Sequence, residues 1–311
     1  MLVMSHGTPG TPADIEAFYT EIRRGRRPAP ELLADLERRY RVIGGTSPLA
    51  QRTAAQIVGV EAVLERLRPG RYVVASGTKF AQPRIADAVG EIARAGARRV
   101  IGVVLAPHSS FASVGDYARR ARQAVDSARV ESGAPLELEV VDRWHVEDGL
   151  ISLLAERVEA ALSDLSGSGD GPVEVIFTAH SVPARLKDEG DDYADQVHAS
   201  SKAVARVAGL ERWQVAWQSA GRTGEEWLGP DVRDVIASAA QTGARGVVVC
   251  PIGFVSDHLE VLYDLDVEAA QSAKKAGLRF ARTESLNDDP RFCEVLARVV
   301  LAADSRSEAE R

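Results

Sequence analysis

Cysteine is close to absent. Cys250 and Cys293 are the only two among 311 residues. Two cysteines cannot build a disulfide framework, nor a four-cysteine zinc or iron–sulfur centre within one chain. Aromatic residues make up only 5%. No apolar run approaches the roughly 18 residues that read as a membrane-spanning helix, so no integral membrane segment is expected. The first residues, MLVMSHGTPG, lack the basic n-region and apolar h-region of a secretory signal. A cytoplasmic protein is expected. Positive charge is not in excess either: 38 Lys and Arg stand against 45 Asp and Glu, a net charge of −7. That argues against nucleic acid as the main partner. A Gly-rich dinucleotide fingerprint, a Walker A loop and a GxSxG elbow are all missing. Ser181 follows His180 directly, but adjacent side chains on a strand end point apart, so they form no dyad.

What remains is a chain rich in short apolar runs. They are Met1–Met4, Tyr72–Ala75, Val100–Ala106, Leu136–Val141, Val173–Thr178, Trp213–Trp217, Gly246–Ile252 and Phe280–Ala281. Helical patterns such as Ala81–Ala95, Gly115–Glu131 and Leu150–Ser163 lie between them, with apolar residues at three-to-four spacing. This alternation predicts an α/β fold with parallel sheets covered by helices. At roughly 100–200 residues per domain the length fits two domains. The Gly/Ser-rich stretch Ser166–Pro172 predicts a linker. The expected division is 1–165, 166–290, and a C-terminal helix over 291–311 that packs back on the first domain. The polar end, Ser305–Arg311, is expected to fray.

The halves echo each other. MLVMSHG at Met1–Gly7 and EVIFTAHS at Glu174–Ser181 are both apolar runs that end in His and a small residue. GARRVIGVVLAPH (Gly96–His108) and GARGVVVCPIGFVSDH (Gly243–His258) share a GAR start, a Val/Ile run and a later His. Self-similarity at this spacing reads as duplication of a half-molecule. Ligands of open parallel sheets bind beyond the strand C-termini. Duplication therefore predicts His6 and His180 at matching rims of a shared cleft.

Four segments carry chemistry. In DHLEVLYDLDVE, an α-helix would bring Glu260, Asp264 and Glu268, at i, i+4 and i+8, onto one face. The segment follows the very apolar Val247–Val255 and contains Leu259, Val261, Leu262 and Tyr263. An acidic stripe in such company calls for a cation. In FTAHSVP, His180 ends a strand; beside a carboxylate it would make a mixed site suited to Fe²⁺, Co²⁺ or Zn²⁺. In WQSAGRTGEEWLGP, Trp217 and Trp227 flank a Gly-rich stretch and could wall a flat ligand. In IRRGRRP and the residues after it, Arg23, Arg24, Arg26, Arg27, Arg38, Arg39 and Arg41 crowd together. Arginine pairs bidentately with carboxylates, which fits a polycarboxylate ligand.

Together these segments resemble the ferrochelatase family. The matching stretches are MSHGTPGTPADIEAFYTEIRRGRRP, YRVIGGTSPLAQ, FTAHSVP, WQSAGRTGEEWLGPDV and VVCPIGFVSDHLEVLYDLDVE, in order along the chain. The resemblance implies two similar Rossmann-like domains with a cleft between them, and insertion of Fe²⁺, a substrate rather than a resident cofactor, into a porphyrin. The short IRRGRRP segment looks like that of the water-soluble Gram-positive type. That type makes coproheme from coproporphyrin III, which carries four propionates. By resemblance, His180 and Glu260 are the metal-binding pair, and Asp264 and Glu268 a delivery track. Arg23, Arg39, Tyr40, Ser47, Tyr117 and Trp227 are expected to contact porphyrin. His6 stands where that type usually has an iron-ligating Tyr, so an axial His ligand is expected. The HG pair also resembles the smaller cobalt and sirohydrochlorin chelatases. Lys79–Phe80 departs from a frequent Lys–His. Some relatives hold a [2Fe–2S] cluster on four cysteines, and none is expected here. A monomer that hands its product to a later haem-pathway enzyme is expected. The alternatives are a protoporphyrin IX ferrochelatase, a cobalt or sirohydrochlorin-type chelatase, and a tetrapyrrole carrier without chemistry.

The chemistry implied is removal of two pyrrole protons and delivery of a partly dehydrated metal. With an ordinary pKa of about 6.5, His180 would be the proton acceptor. Glu260 would hold the metal.

Overall fold

The computed structural model describes residues 1–166 and 171–309. Eight strands form: β1 (Leu2–Ser5), β2 (Ala75–Thr78), β3 (Arg99–Val104), β4 (Glu137–Val141), β5 (Val173–His180), β6 (Trp213–Gln218), β7 (Gly246–Cys250) and β8 (Arg279–Arg282). The α-helices are α1 (Ile15–Ile22), α2 (Pro30–Val42), α3 (Leu49–Leu67), α4 (Ile85–Arg94), α5 (Val114–Ser132), α6 (Asp148–Ser166), α7 (Arg185–Asp188), α8 (Tyr193–Val207), α9 (Val232–Gln241), α10 (Leu259–Tyr263), α11 (Ala270–Lys275) and α12 (Pro290–Ala309). A π-helical turn, Asp264–Ala269, joins α10 to α11.

The strands make two four-stranded sheets, ordered β2-β1-β3-β4 and β6-β5-β7-β8, and every pairing is parallel. The second order is the first moved along by four strands, so the halves share one topology. The likeness extends to detail. Thr78 N–H bonds the Pro83 carbonyl beside β2, and Trp217 N–H bonds the Pro230 carbonyl beside β6. The inner strands β1, β3 and β7 are nearly continuous apolar runs, as sheets covered on both faces require, whereas the edge strands β4, β6 and β8 carry polar residues. Alternation still sorts their residues. Val3 and Ile101 face a central core with Val175 and Phe177, while Leu2 and Met4 face α4 and α5. Ile176 and Val247 face α9, the π-turn and α11.

Helices α6 and α12 fill the space between the sheets. α6 packs on α8, β7 and β8 of the second half, although it precedes the Gly/Ser-rich stretch. α12 packs on α3, α6, β3 and β4. Phe292, Leu296, Val300 and Ala303 form its buried stripe, against Val60 and Leu64 of α3. The chain therefore crosses between the halves at both ends of the second sheet.

Two local expectations need correction. The second strand runs over Ala75–Thr78, not Tyr72–Ala75. The Tyr72 hydroxyl turns aside to bond Asp304 at 2.5 Å, and Ala75 N–H is the first to pair, with the Met1 carbonyl. The acidic segment is not one α-helix, because it widens to π at Asp264. Most of the expected linker, residues 167–170, lies outside the described residues, as do residues 310 and 311 at the expected frayed end. Up to Ala309 that end is helical.

Candidate functional site at the rim of both sheets

His180 is the last residue of β5, and His6 follows β1 directly. The two strands are equivalent, and so are the two imidazoles. His6 Nδ1 faces the Gly7 carbonyl at 3.2 Å, and His180 Nδ1 faces the Ser181 carbonyl at 2.5 Å. A carbonyl only accepts, so Nδ1–H donates in each ring and Nε2 is turned outward.

The second sheet adds what the first lacks. After β7 the loop folds back onto β5, where Gly253 N–H bonds the Thr178 carbonyl at 3.0 Å. Any side chain at Gly253 would collide, since a Cβ there would lie 2.6 Å from that of Ala179. This close approach brings Phe254, His258 and Glu260 to His180. Glu260 Oε1 lies 3.4 Å from His180 Nε2, and Oε2 lies 3.5 Å from His258 Nε2. The Phe254 ring packs near both imidazoles, 4.8 Å from His258 and 6.5 Å from His180. Trp227 closes one side, 6.4 Å from His180. Gly221 must be glycine for that, because a Cβ would lie 2.3 Å from the indole. On the facing rim, His6 packs on Phe80 at 4.9 Å and Phe18 at 5.9 Å.

Electrostatics make the equivalent histidines unlike. Burial alone would lower His180, but the Glu260 carboxylate beside it raises it to about 9. Burial would raise Glu260, but His180 and His258 outweigh that and hold it well below the carboxylate range. Among the described residues, His6 has no carboxylate partner of its own. Surrounding protein lowers it to about 4 against the more distant pull of Glu260, so its ring is neutral at pH 7. The expected ordinary value for His180 is therefore replaced by a resting imidazolium.

The acidic stripe is real but partly neutralised. An α-helix overshoots a full revolution in four residues, and a π-turn falls short of one. One stretch of each keeps Glu260, Asp264 and Glu268 aligned. Asp264 accepts from Ser219 Oγ at 2.5 Å and from Arg39 Nη1 at 3.1 Å. Glu268 lies 3.8 Å from Arg39 and 3.9 Å from Arg233. Burial and the Glu260 charge lift Asp264 to about 6. The folded state thus holds this proton more tightly than the unfolded chain does, and stability falls as pH rises from about 4 to 6. Asp264→Asn is expected to gain stability over the parent on going from pH 4 to pH 8. The gain should be about 2–3 kcal/mol, and urea unfolding at both pH values checks it.

The other expected porphyrin contacts divide. Arg23 lies on the lip at the end of α1, with its Nε buried and unpartnered. Trp227 borders the site. Arg39 points into the acidic stripe, bonding Asp35 as well. Tyr40, Ser47 and Tyr117 are buried, with Tyr117 under the Lys79 ammonium at 4.7 Å. They offer a ligand little surface. Among the described residues, no group of three or more His, Cys, Asp and Glu side chains is disposed to hold a metal ion. His258 was the residue missed as a site member. Its signal was the spacing His-x-Glu at a helix start, with His258 as the extended N-cap residue and Glu260 in the first turn.

Paired parallel sheets of one strand order, with an imidazole at each central strand end and a carboxylate beside one of them, make up the arrangement. The solved structure "SirB from Bacillus subtilis with Fe3+" has the same fold, with a TM-score of 0.63 at 11% identity, covering 99% of this chain and 96% of that one. The chain belongs to the ferrochelatase family, whose model, described as Ferrochelatase, matches residues 1–304. It is an enzyme that inserts metal into porphyrin. It is 40% identical to the coproporphyrin III ferrochelatase of Bacillus subtilis, over 97% of this chain and 96% of that one. It is also 40% identical to a ferrochelatase of Thermus thermophilus (97% and 98%) and 39% identical to one of Herpetosiphon aurantiacus (96% and 97%). No described helix is long and apolar enough to cross a membrane.

Proposed function

We propose that this ferrochelatase inserts Fe²⁺ into coproporphyrin III, giving coproheme and two protons. The observation that carries the substrate is the lip between α1 and α2. Arg23, Arg24 and Arg26 have no acidic partner among the described residues, and Arg24 and Arg26 are exposed. Only Arg27 is paired, with Glu16 at 3.0 Å. Unpaired guanidinium groups at a cleft mouth suit a ligand with several carboxylates. The named activity of the Bacillus subtilis relative agrees with this reading.

His180 and Glu260 then act in sequence. The resting pair is imidazolium and carboxylate, and the imidazolium cannot take a proton. Fe²⁺ arriving at Glu260 offsets the negative charge that holds the proton on His180. The imidazolium releases that proton to cleft water and becomes the acceptor for one pyrrole N–H, passing it to water before taking the second. Ser181 fixes Nδ1, so Nε2 is the nitrogen that transfers. His258 keeps the second Glu260 oxygen ionised. Packing and Arg–carboxylate contacts far from the centre can supply the roughly 1–5 kcal/mol that ruffles the ring toward one face.

Anaerobic turnover with Fe²⁺ tests the substrate. Faster metallation of coproporphyrin III than of protoporphyrin IX is expected, and the Arg23→Ala, Arg24→Ala, Arg26→Ala triple variant should lose most of that preference. Preference for protoporphyrin would refute the assignment. His6 is assigned as the axial ligand of product iron, because its ring is neutral and its Nε2 is open. The absorption spectrum of the product complex should change in His6→Ala; an identical spectrum would remove His6 from the iron.

A further inference from the structure

His180 ends a strand and Glu260 opens a helix, so the gap between them depends on what joins the two elements. His180 lies directly opposite Gln218 in the β5–β6 pairing. The Gln218 carbonyl accepts the Ser181 N–H at 2.8 Å. Its side chain, 1% exposed, reaches α10 and donates Nε2–H to the Glu260 carbonyl at 3.0 Å. One residue therefore grips the backbone just after His180 and the backbone of Glu260. His180 has a second anchor. Tyr193, the first residue of α8, donates its hydroxyl to the His180 carbonyl at 3.1 Å. The Tyr193 ring is itself held by Trp217 at 5.7 Å and His108 at 6.2 Å.

We infer that Gln218 and Tyr193 are positioning residues for metal insertion, and that their two hydrogen bonds set the His180–Glu260 separation. This rests on His180 and Glu260 being the reacting pair. The Glu260 carboxylate reaches His180 and His258 from the start of a helix, so its reach depends on where its backbone is fixed. Both carbonyls are gripped by the side chains of buried residues. A misplacement of about 1 Å at a reacting group can cost about a hundredfold in rate.

Tyr193→Phe keeps the ring and removes one hydroxyl. Gln218→Met keeps length and volume and removes the amide. Each is assayed as the full chain for anaerobic Fe²⁺ insertion at saturating porphyrin, with porphyrin titration counting the folded sites. The kcat per site should fall about tenfold or more and KM for Fe²⁺ should rise, with porphyrin KM within about twofold of the parent. A purely structural role would lower the number of sites and leave both constants unchanged, which would overturn the inference. If Gln218→Met does not fold, Tyr193→Phe decides. The His180→Ala variant separates the two levels. Activity in it would defeat the reacting pair itself. Inactivity in it, beside parental constants in Tyr193→Phe, defeats only the positioning.

Discussion

His180→Ala is expected to abolish iron insertion while leaving porphyrin binding in place. A positioned proton acceptor contributes about 10²–10⁴ in rate, and this residue also holds one side of Glu260. Removing the imidazole takes away the acceptor and frees Glu260 from its strongest partner. The carboxyl then rises toward the ordinary range yet stays ionised near neutral pH, so what it loses is the partner that orients it. Losing both the acceptor and the partner that orients Glu260 makes a large catalytic effect the expected one. Porphyrin affinity should hold, because the Arg lip, Trp227, Phe254 and Phe80 are untouched. Fluorescence titration with the porphyrin and a single-turnover metallation assay separate the outcomes. Retained turnover would remove His180 from the chemistry. Loss of porphyrin binding as well would mean that the imidazole supports the cleft wall rather than the reaction.

Phe292→Ala is expected to cost about 3–5 kcal/mol of stability, the range for deleting a fully buried Phe. Phe292 is 0% exposed, faces the Trp144 ring at 6.0 Å, and begins the buried stripe of α12. That helix and α6 fill the space between the sheets, so the cavity would open where the halves are joined. The cleft residues lie at the strand ends and should keep their chemistry in whatever fraction stays folded. Urea unfolding checks the figure. Phe111→Ala serves as the control, since Phe111 is 60% exposed and should change stability by no more than about 0.5 kcal/mol. A loss below about 1 kcal/mol at Phe292 would mean that α12 is not the tie between the halves.

The α/β architecture was legible because Val- and Ile-rich runs between turn residues leave few other foldings. All eight runs lie at or next to strands. The repeat was legible from two pairs of short echoes, and the identical strand orders bear it out. The strand at Tyr72–Ala75 was misplaced because Tyr72 looks apolar, while its hydroxyl is drawn to an aspartate 232 residues away. The π-turn left no mark in composition, as its residues would suit an α-helix equally well. Arg39 bonds Asp264 across 225 residues, and no local pattern reveals such a pair. Tyr40 and Tyr117 carry the residue type of a ligand wall, and both are buried, which no local pattern foretells. His180 and Glu260 could be picked out singly, but their contact depends on the fold-back at Gly253.

The matched histidines have a last consequence. Two halves of one topology present the same imidazole from opposite sides, yet only the second half carries a carboxylate beside it. One ring holds a proton to about pH 9, and the other gives its proton up by about pH 4. A flat molecule lying between them meets a cationic donor on one side and a bare lone pair on the other. The cleft is thus polarised along the normal to the macrocycle. Under the proposed mechanism protons leave and metal enters on the carboxylate side, so a duplicated, nearly symmetric scaffold would distinguish the two faces of a planar substrate.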